Sequence, residues 1–139
     1  MRRSGAALVL MGLLWVHGTA ALAQDFLGRP IFVRYGEGVY RTGLTMGKLA
    51  RVFRNNHPGN EATWVAQGPD RQLLHVISVD PLTEERRRMV FLFDVGPERA
   101  IVQRLAVGLH EASEREIYVT MMEIAATIAA RERGPSRRE

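Results

Sequence analysis

The stretch "RQLLHVISVDPLTEERRRMVFLFDVGPERAIVQRLAV", residues 71–107, decides the fold. It holds three runs rich in β-branched and aromatic residues, split by Asp80-Pro81 and by Gly96-Pro97. Proline presets φ and supplies no backbone donor, so each break reads as a turn between strands. In "MVFLFDV" the alternation sets Met89, Phe91, Phe93 and Val95 on one face and Val90, Leu92 and Asp94 on the other. In "RAIVQRLAV" it sets Ile101, Leu105 and Val107 inward against Arg104, with Gln103 as a polar exception. Upstream, "EATWVAQ" ends at Gly68-Pro69-Asp70, a further turn. Strands joined by such short turns predict a four-stranded antiparallel meander.

Helices flank these strands. Ser113 and Glu116 have capping-box spacing, with Ala112 and Ile117 at staple positions, and Ile117, Met121, Ile124 and Ile128 form one apolar stripe. That predicts a helix over about 114–131. Before the strands, Thr45 is an N-cap with Leu44 and Leu49 at staple spacing, and Met46, Leu49, Val52 and Phe53 share a face. Asn55-Asn56-His57-Pro58-Gly59 stops that helix near residue 55. The expected class is α+β: the meander with a short N-terminal and a longer C-terminal helix packed on one face. The expected organisation is a signal peptide at 1–23, an extended lead-in or hairpin at 24–42, a single domain at 43–131 and a disordered tail at 132–139.

The signal peptide is read from Arg2 and Arg3, an apolar run from Ala6 to Val16, and "GTAALAQDF" at 18–26. The run fits the roughly 7–15 residues of a signal core rather than the roughly 20 of a membrane helix. Ala21 and Ala23 are the small residues a signal peptidase reads, so cleavage is expected after Ala23, giving a periplasmic or secreted protein. An uncleaved N-terminal membrane anchor is the alternative. The chain has no cysteine, which excludes disulfides, thiol chemistry and a lipid anchor on cysteine.

The formal net charge is +4, and Arg2 and Arg3 are part of it. The mature chain is therefore close to neutral, with no basic stripe for nucleic acid. "TEERRRM" at 83–89 mixes both signs, as solvated turns do, and the tail "RERGPSRRE" is charged and broken by Gly and Pro. His57, His75 and His110 lack zinc-ligand spacing, no G-x-S-x-G occurs, and no glycine-rich phosphate loop follows a strand. No catalytic residue, metal ligand or cofactor is assigned. The residues that suggest a partner surface are Tyr35, Tyr40 and Trp64, large amphipathic groups suited to anchor a bound protein. The wide apolar face of the last helix, extended by Tyr118, Met122 and Ala125, is either core or the seam of a homodimer.

The order "YRTGLTMGKLARVF" followed by Trp64 in a strand resembles the SmpA/OmlA-type domain of outer-membrane assembly lipoproteins over residues 40 to about 107, through Gly43, Thr45 and Trp64. The resemblance implies a place in an envelope assembly. The chain departs from that pattern in lacking the lipid-carrying cysteine, in having one helix before the sheet, and in adding a C-terminal helix. The functional expectation is a small non-enzymatic protein that binds another envelope protein. The alternative is a small enzyme or ligand-binding domain with a pocket between sheet and helix, carried by Asp80, Asp94 or His75.

Overall fold

A computed structural model describes residues 25–134. The expected signal peptide, its cleavage site and the alternative anchor lie outside these residues, as do 135–139 of the tail; residues 132–133, expected as disordered tail, instead continue the last helix. A short 3-10 turn, Phe26–Gly28, leads into β1 (Pro30–Tyr35) and β2 (Gly38–Thr45), followed by helix α1 (Met46–Asn56). Then come β3 (Glu61–Ala66), β4 (Arg71–Val79), β5 (Arg86–Val95), β6 (Ala100–Val107), the two-residue β7 (His110–Glu111) and helix α2 (Glu114–Arg133).

The fold is α+β, but the four-stranded antiparallel meander is corrected. Among the described residues the sheet is mixed and has seven strands, in the order β2-β1-β6-β5-β4-β3, with β7 beside the end of β6. The pairs from β3 to β6 are antiparallel, whereas β1 joins β6 in parallel through Ile31↔Ala100 and Phe32↔Ile101. The strands added to the meander come from residues 30–45, where β2 runs through the 42/43 boundary without a break, and from the short β7. Parallel pairing needs a long crossover. The partner of β1 therefore lies far along the chain, where local periodicity carries no signal.

One face of the sheet carries the core. Ile31, Val33, Leu44, Leu74, Val76, Phe91, Phe93, Val102 and Leu105 are buried in one cluster with Met46 and Leu49 of α1 and Ile117, Met121 and Ile128 of α2. Both helices therefore cover the same face. Thr45 Oγ1 accepts from Lys48 N at the start of α1, and the capping box of Ser113 and Glu116 is formed at the start of α2. Tyr118, Met122, Ile124 and Ala125 are half-buried against this core. Asn60 locks the far end: its Nδ2 donates to Phe53 O of α1 and its Oδ1 accepts from Val79 N of β4.

Two irregularities set which residues face the core. In β6 the register shifts so that Leu92 pairs with Arg104 and Phe93 with Val102, leaving Gln103 as an extra residue. Ahead of that bulge the alternation inverts: Ala100 and Val102 are buried, and Ile101, expected inside, shares the opposite face with its cross-strand partner Asp94. In β2 residues 42–44 stand against Ile31 alone, with Gly43 at φ +86°. Thr42 Oγ1 donates to Ile31 O at 2.7 Å and accepts from Leu44 N, supplying the bonds that the distorted ladder lacks.

Candidate interaction surface

Tyr35 and Tyr40 are brought together, and a residue from the other end of the chain joins them. The Tyr118 ring of α2 stacks on Tyr35 at 4.9 Å and meets Tyr40 edge-on at 5.7 Å. The tight turn between β1 and β2 sets this up: Gly36 is at φ +61°, and its N–H donates to Glu114 Oε1 at 2.6 Å, tying the turn to the start of α2. Tyr40 lies over Gly38, where a Cβ would stand only 2.7 Å from the tyrosine oxygen. Tyr35 and Tyr40 remain 40% and 45% exposed.

Trp64 is not part of this cluster. It sits on β3, at the opposite edge of the sheet from β2, half-buried on the helix-covered side. Its ring packs edge-on against Phe26 at 4.9 Å and lies 5.7 Å from Phe93. Its Nε1 is sealed from solvent with no hydrogen-bond partner among the described residues, and so is Oε1 of Gln72 on the neighbouring strand.

Nor do the polar residues Asp80, Asp94 and His75 converge. Asp80 follows β4, and its Oδ1 accepts from Leu82 N and Thr83 N, which holds its carboxyl below the ordinary range. Asp94 is near the end of β5, opposite the start of β4, paired with Arg71 at 3.3 Å and bonded by Gln103 Nε2. His75 lies mid-strand, accepting from Arg88 Nε at 2.8 Å. Among the described residues no group of three or more His, Cys, Asp or Glu is placed to hold a metal ion.

The face of the sheet away from the helices is the larger feature, and sequence reasoning missed it. Cross-strand partners share a face. The register therefore assigns to this side Val65, Leu73, His75, Ile77, Val90, Leu92, Asp94, Ile101, Arg104 and Phe32. Phe32, Ile101, Leu92, Leu73 and Val65 form a stepped apolar row over five adjacent strands, none of them part of the core cluster. Ile101 stands opposite Asp94 and Leu92 opposite Arg104, so the row steps diagonally between β6 and β5, with Val65 exposed and the other four half-buried. No described helix covers the row. The signal was present in "LLHVI" at 73–77 and "MVFLF" at 89–93, which are apolar on both faces. Such strands belong to sheets covered on both sides.

Arginines frame this row. Arg34 and Arg41 share the face through their pairing with Val39 and Phe32, and the Arg99 guanidinium lies over the Phe32 ring at 5.2 Å. None of the three has a carboxylate partner among the described residues. Arg104 is bound at two points by Glu111, which lowers the Glu111 carboxyl and raises the arginine. At one end the face runs into a groove of about 1170 Å3 whose walls carry both signs of charge, Arg29, Arg34 and Arg99 with Asp25, Asp70 and Asp94, beside Phe26 and Ile101. Arg29 is fixed there by donating to Gly96 O and Asp25 O.

No protein-family model matches this chain, and searches of curated proteins and of solved structures give no match either.

Proposed function

We propose that the protein is a binding module of the cell envelope that takes another protein onto its uncovered sheet face. The apolar row from Phe32 to Val65 carries this reading, because central strands with large apolar residues on both faces have no described helix over one of them. The signal-like N-terminus and the resemblance to an envelope-assembly domain support the periplasm as the place of action. Among the described residues no helix is long and apolar enough to cross a membrane. The anchor moves accordingly from Trp64 to Leu73 and Leu92, with Tyr35 and Tyr40 as a second exposed patch at the β1–β2 edge.

The test places a photo-reactive residue at Leu92 in one form of the protein and at Val119, exposed on α2, in another, and cross-links both in the bacterial envelope. The expected result is one discrete product from position 92 that is absent from position 119 and lost when Leu73→Asp is added. Equal products from both positions would overturn the reading.

A further inference from the structure

The uncovered face has a charge pattern that selects its occupant. Among the described residues Arg34, Arg41 and Arg99 have no carboxylate partner on the side formed by β1, β2 and the approach to β6, and Arg88, on this face beside Ile77, donates only to His75. The carboxylates without a cation here are Glu61, on β3, and Asp25 and Asp70 at the groove. Arg71 and Arg104 are held only by exposed ion pairs, with Asp94 and Glu111. Exposed pairs of this kind are worth little and exchange readily for a better partner. A second copy of the chain laid face to face would bring the same surplus of arginine over carboxylate, so the excess positive charge would double in either orientation. An occupant bearing carboxylates neutralises it.

The shape is that of a surface made for a helix. The row from Phe32 on β1 to Val65 on β3 crosses five strands, roughly 19 Å at about 4.8 Å between neighbours. A helix of about 13 residues has that length. On the other face the same sheet already packs α1 and α2 against residues of the same kind. We therefore propose that the uncovered face receives an acidic amphipathic helix of a partner protein, its apolar stripe on the row through Leu92 and Leu73 and its carboxylates over Arg34 and Arg99. The groove beside Arg34, Arg99 and Ile101 bounds the face at that end, and its own Asp25, Asp70 and Asp94 keep the partner's carboxylates over Arg34 and Arg99 rather than inside it. This proposal rests on the binding reading above and adds the chemistry of the partner.

The test uses the protein purified in the form that accumulates in the envelope, with two labelled helical peptides. Both carry leucines along one face; one is flanked by glutamates, the other by lysines. Fluorescence anisotropy is read at low and raised salt, with vesicles containing phosphatidylglycerol as a third probe. The glutamate peptide is expected to bind at least about tenfold more tightly than the lysine peptide, and more weakly as salt rises. In the double variant Arg34→Glu/Arg99→Glu the preference should reverse, a gain of binding that a misfolded protein would not show. Leu92→Asp should weaken both peptides while leaving the circular dichroism spectrum unchanged.

Equal binding of the two peptides, no binding of either, or an unreversed preference in the double variant overturns the proposal. So does face-dependent capture of the vesicles in place of the glutamate peptide. If cross-linking from position 92 still yields its discrete product in those cases, the binding reading stands and only the acidic partner falls. If that product is also missing, both fall.

Discussion

The indole N–H of Trp64 is a donor with nothing to donate to among the described residues, buried beside an equally unpaired Gln72 Oε1. An unsatisfied buried polar group costs about 1–3 kcal/mol, so removing it offsets part of the packing given up when the ring shrinks. Trp64→Phe is expected to change stability by less than about 1 kcal/mol, and Trp64→Ala to cost about 3 kcal/mol, read from urea unfolding. A large destabilisation in the phenylalanine variant would show that the indole nitrogen has a partner. Glu116 makes the opposite case. Its carboxyl is bonded first by the backbone N–H of Ser113 and then by His110 and the Ser113 hydroxyl, which lower its pKa from an ordinary 4.5. A group depressed in the folded state stabilises above its unfolded value, and that contribution disappears as pH falls through the folded one. Unfolding midpoints should therefore drop more steeply below about pH 4.5 in the wild type than in Glu116→Gln; parallel curves would exclude a role for the cap. The capping box was legible because its partners lie three residues apart. The surroundings of Trp64 were not, since Phe26 and Phe93 reach it from distant parts of the chain.

Beyond the shared core and the Gly36–Glu114 bond, one aromatic group ties the outer end of the β1–β2 hairpin to α2. Tyr118 meets both Tyr35 and Tyr40, and each such pair contributes about 0.5–1.5 kcal/mol beyond area burial. Tyr118→Ala should cost about 2 kcal/mol and raise amide exchange in residues 30–45 selectively; uniform exchange across the sheet would show that the hairpin does not depend on this ring. Helix positions and the turns at Gly68, Pro81 and Gly96 followed from spacing and turn chemistry, both local. The inward set of β6 did not. A single extra residue at Gln103 inverts everything ahead of it, so Ile101 faces outward and Ala100 inward. The bulge's one local mark was Gln103 itself, the polar residue that broke the expected inward set.

At the scale of the molecule, the seven strands among the described residues carry α1 and α2 on one side and no described helix on the other. Reading residues 71–107 as strands found the material of the sheet, yet its true width depended on a parallel pairing with residues 30–33 that no short window contains. The site was less legible than the fold. Two of the three residues put forward, Tyr35 and Tyr40, do cluster, whereas the uncovered row became visible only once register gave each side chain a face. An uncovered apolar row of this extent predicts that the native protein binds a hydrophobic dye in the absence of denaturant. The Leu73→Asp/Leu92→Asp variant should lose most of that fluorescence without unfolding. A native protein that leaves the dye dark would mean the row is already covered.

The parallel join of β1 to β6 also bears on the order of assembly. A chain emerging amino end first exposes Ile31 and Phe32 early, while the residues they lie beside, Ala100 and Ile101, come out near the end. The first strand made therefore waits for almost the last. Until then the sheet lacks its closing seam, and the chain stays open to capture by a chaperone for nearly the whole of its synthesis.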